Sequence, residues 1–274
     1  MISSAWKRWE SITSRHHCVL KLKQVFYAGR GEPYEFDGHR LRYVPGSRPI
    51  RMRYLDSTNR VNRFDALQVM WLRTHLKEGD LAIDVGAHHG TYSMLMAAKC
   101  GPRGHVVAFE PDPYARTVLT QNISLNPALK SPVVESCACS NNVGEATFFG
   151  GRGNALSSLA RSAVEPSVHY QPDEITVPVI TIDSYLALHR LPEPNCLKID
   201  AEGAEIQVLQ GARNVLAGDA HIICELHPYA WPEFGATFDK LKQLAADAGR
   251  RIRYLDEKSE TYKRAVYGVV SLER

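Results

Sequence analysis

From Leu81 onward the chain alternates short apolar runs with amphipathic stretches of ten or more residues. That rhythm restricts the fold more than any single residue does. LAIDV reads as a buried strand and TYSMLMAAKC as a helix, then HVVAFE as a strand and PYARTVLTQNISL as a helix. PVVESCACS is a third strand, and EATFFG and EITVPVITI are additional strands around a polar stretch from Gly150 to Asp173. CLKID is a strand, AEIQVLQGARNVL helical, AHIICEL a strand and Pro232 to Ala248 a helix. RIRYL and AVYGVVSL lie close enough for an antiparallel finish. Strands joined through helices run parallel and are covered on both faces. The expected fold is therefore α/β, a doubly wound, mostly parallel sheet, with ligands beyond the C-terminal strand ends.

The part before this pattern differs. Residues 1–61 read as an irregular N-terminal extension, and 62–274 as the main domain. In FDGHRLRYV, Asp37-Gly38 is a hairpin signal before an alternating strand, and RPIRMRYL reads as another short strand. Phe64, Leu67, Val69-Met70 and Leu72 space an amphipathic helix from Asn62 to Leu76, with Gly79 as its C-terminal cap. Charge separates the two parts. Residues 1–63 hold 13 Lys+Arg against 5 Asp+Glu, the remainder 20 against 25, so +8 faces −5 within a net +3. A basic arm invites an anionic partner: nucleic acid, a phosphorylated substrate or the periphery of a membrane.

Other classes are disfavoured by what is missing. No apolar run reaches the ~18 residues of a membrane span, and the first twenty residues lack the apolar centre of a signal peptide. A cytoplasmic protein is expected. Cys18, Cys100, Cys137, Cys139, Cys196 and Cys224 form no C-x-x-C pair, so free thiols are expected rather than disulfides or zinc ligands.

The loop after the first main strand is Asp84-Val85-Gly86-Ala87-His88-His89-Gly90. Gly86 follows the strand, Gly90 opens the helix, and both let a ligand approach the backbone. Glu110 ends the second strand, 24 residues beyond Gly86, where a carboxylate can accept both hydroxyls of a ribose. Pro111 and Ala138, on the neighbouring strand ends, are counted with these contacts, as is His88 in the loop. The spacing G-x-x-x-G is not the G-x-G-x-x-G that cradles a pyrophosphate. Asp84 would repel a pyrophosphate but suits the ammonium or sulfonium of S-adenosyl-L-methionine.

Asp200, Glu202 and Glu205 fall within six residues at the end of the fourth strand. Asp200 is a candidate for holding the cofactor's amino-acid moiety or for deprotonating an acceptor hydroxyl. The plainer reading of Glu205 is an acid complementing a helix N-terminus. Glu225 and His227, two apart at the end of the fifth strand, share a face. His227 is a candidate general base tuned by the carboxylates, and Glu225 joins Asp200 and His227 in the catalytic set. No metal is expected. Its alternative is a divalent ion on Asp200, Glu202 and Glu225, and a His88–His89 metal pair is not expected.

DVGAHHGTYS, AFEPDPYARTVLTQNISLN, VPVITIDSYL, LKIDAEGAEIQVLQGA and IICELH together resemble the FkbM-type methyltransferases, over about Asp80 to Pro228. The resemblance implies a class I methyltransferase fold with a seven-stranded sheet, S-adenosyl-L-methionine as cofactor, and O-methylation of a sugar, glycoconjugate or other natural product. It carries Asp84, Gly86 and Glu110 over as cofactor contacts. It also matches Asp200, Glu202 and Glu205 to the family's K-I-D-V-E-G-A-E and Asp183 to its T-L-D, as substrate-side residues. His88 stands where the family has Asn, and Ala201 where it has Val. Three alternatives remain: a nucleic-acid methyltransferase using the basic arm, a non-catalytic cofactor-binding module, and a nicotinamide enzyme. The chain lacks the Asn/Asp-Pro-Pro-aromatic signature of base amino-methylation, so nucleic acid is not the expected acceptor. Neither oligomeric state nor acceptor identity is legible.

Overall fold

The computed structural model describes residues 21–47, 49, 60–150, 157–161, 173–256 and 268–274. The strand expected in RPIRMRYL, most of the polar stretch after Gly150, Cys18 and the first twenty residues lie outside them.

Strands β1 (Glu32–Phe36) and β2 (His39–Tyr43) pair antiparallel. Asp37 and Gly38 between them have φ of 47° and 79°, as a two-residue type I′ turn requires. The hairpin read from Asp37-Gly38 is therefore present. Helix α1 (Arg60–His75) follows. Gly79 does not cap it. Its N–H donates to Cys100 O, and Asp80 folds back to accept from the Lys77 N–H, which makes a separate turn.

The doubly wound unit then runs β3 (Leu81–Val85), α2 (Thr91–Cys100), β4 (His105–Phe109), α3 (Pro113–Ser124) and β5 (Val133–Glu135). A smaller sheet comes from β6 (Ala138–Cys139), β7 (Gly144–Gly150) and β8 (Asp173–Ile180). The main unit resumes with α4 (Ile182–Leu188), β9 (Cys196–Ile199), α5 (Glu205–Gln210), α6 (Arg213–Ala217), β10 (His221–Leu226), α7 (Phe238–Asp247), β11 (Arg251–Tyr254) and β12 (Gly268–Glu273). The seven-stranded sheet has the order β11-β12-β10-β9-β3-β4-β5. Only β12 opposes the rest, pairing antiparallel with β10 and β11. This is the class I methyltransferase arrangement that the resemblance implies.

Three boundaries differ from the sequence reading. PVVESCACS divides: β5 pairs with β4, while β6 leaves to pair with β8. An alternating run states its faces but not its neighbour. The helix expected through AEIQVLQGARNVL breaks at Gly211, where a Cβ would stand 2.0 Å from the Ser140 carbonyl oxygen. The helix expected from Pro232 becomes a 3-10 turn, Trp231–Phe234, ended by Gly235 at φ 56°. α7 then restarts behind Thr237, whose side chain accepts from Lys240 N.

Alternation along the strands sorts the core. Leu81, Ile83 and Val85 face α4 to α7, while Ala82, Val106, Cys196 and Ile223 face α1 and α2. Tyr34, Phe36, Leu41 and Tyr43 of the hairpin pack into this second cluster beside Phe64, Trp71 and Met94.

Two asparagines, Asn122 of α3 and Asn126 just past its end, fasten the hairpin. Asn126 accepts from Arg42 N and donates to Arg42 O. Asn122 accepts from Val44 N at 2.6 Å and donates to Ser47 Oγ and His89 O. Removing a side chain that satisfies several buried groups leaves each without a partner. Asn122→Ala should therefore lower the unfolding free energy by about 2–4 kcal/mol. Urea denaturation measures this, and a midpoint equal to wild type would show that the fastening carries no energy.

Candidate active site

Chain order reverses between β3 and β9, and a crevice opens there beyond the C-terminal strand ends. A pocket with about 400 Å³ of empty space, part of it open to solvent, occupies it. Gly86, Glu110 and Pro111 line its floor, Ala138, Cys139 and Phe148 of the small sheet one wall, and Asp200, Ala201 and Ala204 another. Ser157 and Ser158 close it from above. The first donates to Asp112 Oδ2 and the second to Glu202 O. A larger, more open cavity around His75, Asp80 and His221 lies at the opposite edge of the sheet, where the strands begin.

Gly86 is confined by backbone. Its φ is 73°, and a Cβ there would lie 1.8 Å from Asp200 O. The close approach is thus between β3 and β9, beside the cavity. Glu110 is buried. Its Oε2 accepts from His88 N at 2.6 Å and its Oε1 from Asp112 N at 2.8 Å. Burial pushes its carboxyl up to about 7, against the pull of those two amides.

His88 has φ 50°. Asn, Asp and His are the side chains that best tolerate this left-handed region, so histidine can keep the backbone shape that the family's asparagine has. Its ring stacks on His89 at 3.7 Å between centroids. Burial lowers the pKa of both rings, His89 to about 4. Gly90, at φ 74°, packs against Leu119 rather than lining the cavity.

Asp84 is a different case. It faces away from the cavity and is fully buried. Its Oδ2 accepts from Ser93 Oγ at 2.6 Å, and its Oδ1 lies 3.5 Å from Lys198 Nζ. The charge expected to meet a cationic ligand is already answered by an internal ammonium. Lys198 stands opposite Asp84 in the β3–β9 register, donates to Asp200 Oδ2 at 3.3 Å and lies over the Tyr92 ring at 4.6 Å. Burial opposes its charge, but Asp200, Asp84 and Glu225 outweigh burial and raise its pKa.

On the same side of the sheet lies a polar cluster. His227, buried just past β10, donates from Nδ1 to Glu205 Oε1 at 2.9 Å. Its Nε2 faces Glu202 Oε2, Glu225 Oε1 and Asp200 Oδ1 at 3.6, 3.8 and 3.9 Å. The expected pairing of Glu225 with His227 is present. Burial works against the imidazolium, yet Glu202, Glu205 and Glu225 together raise its pKa. Its Nε2 lies close to three carboxylates, so the ring is placed to organise them. Burial also pushes the carboxyls of Glu202 and Glu225 up.

Glu205 is wholly buried and accepts from Gly203 N, His227 Nδ1 and Trp231 Nε1, so its contacts are internal. Asp183 is not brought to the site. Its Oδ2 accepts from Asn214 N, which ties α4 to α6.

A model described as the methyltransferase FkbM domain matches residues 84–252. The chain belongs to this family. Two curated relatives are 29% identical: the hexuronic acid methyltransferase AglP of Haloferax volcanii, over 55% of this chain and 57% of the relative, and the methyltransferase sdnD of Sordaria araneosa, over 50% and 62%. The chain thus spans roughly three fifths of the curated relatives it matches. A solved methyltransferase FkbM from Methylobacillus flagellatus KT superposes with TM-score 0.49 at 14% identity, over 74% of this chain and 46% of that one.

In this FkbM-domain protein the sequence reading passed over Lys198, Gln68 and Tyr229. Gln68 of α1 donates to Glu225 Oε2 at 2.8 Å, and Tyr229 donates to Glu202 Oε2 at 2.5 Å. Lys198 had a usable signal. A lysine inside an apolar strand is costly unless a carboxylate faces it, and Asp200 two residues on shares its face.

Removing one partner of a buried ion pair strands the other and costs about 3–5 kcal/mol. Lys198→Met should destabilise the protein by that amount in urea denaturation, and adding Asp84→Asn should recover part of it. Equal stability of Lys198→Met and wild type would sink the claim that this lysine holds the two strands' carboxylates.

Proposed function

We propose that the protein is an S-adenosyl-L-methionine-dependent O-methyltransferase acting on a hydroxyl of a sugar, glycoconjugate or other small natural product. The observation that carries this reading is Glu110. It is a buried carboxylate at the end of β4, fixed by two backbone amides and lining a cavity at the switch point of a class I sheet. Such a group suits the two hydroxyls of a ribose. Pro111, Ala138 and Gly86 supply the apolar and backbone surface around it. The acceptor class is supported by the relative named for hexuronic acid. In this reading S-adenosyl-L-homocysteine is the product.

Methyl transfer from a sulfonium needs alignment of the donor carbon and acceptor oxygen more than covalent help. Asp200 borders both the cavity and the polar cluster, so the transfer line passes beside it. Asp200, or Glu225 next to it, takes the hydroxyl proton. His227 stays an organiser of the carboxylates, and Glu205 and Trp231 hold its ring. Asp84 supports the site from behind through Lys198 rather than touching the cofactor. His88 contributes its backbone to the Glu110 clamp.

Incubation with isotope-labelled S-adenosyl-L-methionine and fractionated glycans, lipids, small metabolites and RNA tests the reaction. Label is expected in the sugar or small-metabolite fraction, and label in RNA alone would favour the nucleic-acid alternative. Glu110→Gln should weaken S-adenosyl-L-homocysteine binding by about 1.5–3 kcal/mol, the range for hydrogen bonds to a charged group. Calorimetry reads this directly, and wild-type affinity in the variant would remove Glu110 from the site.

The pH dependence follows from the same carboxyl. Ribose hydroxyls bind the ionised form, and Glu110 titrates near 7. Affinity should be flat above that pH and fall by up to about tenfold per unit below it, while Glu110→Gln shows no such slope. A wild-type affinity independent of pH between 8 and 5 would contradict the assignment.

A further inference from the structure

We infer that Asp200, Glu202 and His227 form a binding site for one divalent cation of the Mn²⁺/Mg²⁺ class. One ligand atom from each of these residues lies within 4.8 Å of the other two. The donors stand slightly wider than an octahedral ion would hold them. Two neighbouring ligands ~2.1 Å from such a metal and ~90° apart stand about 3.0 Å from each other, so the side chains would close on it by less than ~1 Å. Nε2 of His227 lies 3.6 Å from Glu202 Oε2 and 3.9 Å from Asp200 Oδ1.

The ring is also prepared as ligating histidines are. Its other nitrogen donates to a buried carboxylate, Glu205, which fixes the ring plane and turns Nε2 towards the carboxylates. Two of the three donors are carboxylate oxygens, the ligand type that suits Mn²⁺ and Mg²⁺.

Two further observations favour a cation and its water shell here. Among the described residues, Asp84, Asp200, Glu202, Glu205 and Glu225 gather around one ammonium, Lys198, and one imidazole. A third positive centre offsets that excess. Gln68 is 1% exposed, donates its amide to Glu225, and leaves Oε1 with no partner among the described residues. A water on the ion would supply the missing donor. The set differs from the one read in the sequence, since His227 enters and Glu225 stands beside it, 3.8 Å from Nε2.

An ion here would stand beside Asp200, next to the cavity. It would hold the acceptor oxygen and ease loss of its proton. That role, though not the binding itself, rests on the methyltransferase reading.

The test uses the full chain, stripped with EDTA, and Mn²⁺ alone as probe, followed by loss of the free-ion paramagnetic resonance signal. One Mn²⁺ per chain is expected without any cofactor. Glu202→Gln and His227→Asn should each weaken binding at least about tenfold, and Glu205→Gln by about 10–100-fold as an orienting residue. Circular dichroism verifies folding. If His227→Asn does not fold, Glu202→Gln decides. Failure of the wild type to bind Mn²⁺ at millimolar concentration, or unchanged binding in Glu202→Gln, overturns the site. S-adenosyl-L-homocysteine calorimetry on the stripped protein keeps the two readings apart. Cofactor binding without Mn²⁺ binding overturns only the metal site. Mn²⁺ binding without cofactor binding supports the metal site and removes the cofactor reading.

Discussion

Lys198 joins the two strands between which the fold reverses direction. Its ammonium lies between Asp84 on β3 and Asp200 beyond β9, with the Tyr92 ring beneath it. A buried ion group of this kind contributes little net stability compared with apolar packing, because desolvation consumes most of the attraction. What it supplies is placement. Asp200 is held at the mouth of the crevice while its backbone oxygen presses on Gly86. The side chain at position 198 and the missing side chain at position 86 thus set one distance, between the two strand ends that border the cavity.

From that fixed point the polar residues divide by strand alternation. Residues at even positions (Asp84, Lys198, Asp200) face α1 and α2, as does Glu225 two places before His227. Their odd neighbours enter the apolar core with α4 to α7. The cavity and the acidic cluster are therefore back to back, with Asp200 common to both. In the proposed reaction this puts the donor on one side of Asp200 and the acceptor on the other. The carboxylates need no loop movement to meet, because each sits at or just past a strand end.

Much of this was legible in the sequence. The βαβ rhythm located five of the main strands and the two-strand finish, and Asp37-Gly38 located the hairpin. Gly86, Glu110, Pro111, Ala138 and Asp200 were picked out from motif position, and all border the cavity. The failures have a common physical cause. Asp84 was read as an open charge facing a ligand, whereas its partner, Lys198, lies 114 residues away in the chain. A motif names the residue but not its counter-charge, which only strand register supplies. Asp183 matched a motif and proved to bind a helix N-terminus. The split of PVVESCACS between two sheets was invisible because pairing partners are set by tertiary packing, not by alternation.

Asn122 has a wider bearing on how the chain can be divided. Its one amide joins Val44 and Ser47, in the segment that follows the hairpin, to the carbonyl of His89. The hairpin lies outside the family match, while Asn122 and His89 lie inside it. The extension is therefore not an interchangeable cassette. A hairpin grafted from another member would have to bring along the matching side chains of α3, and a poor graft would unsettle the loop that clamps Glu110. Diversification at the N-terminus is bound to inheritance at residues 122 and 126, although about eighty residues of chain separate them.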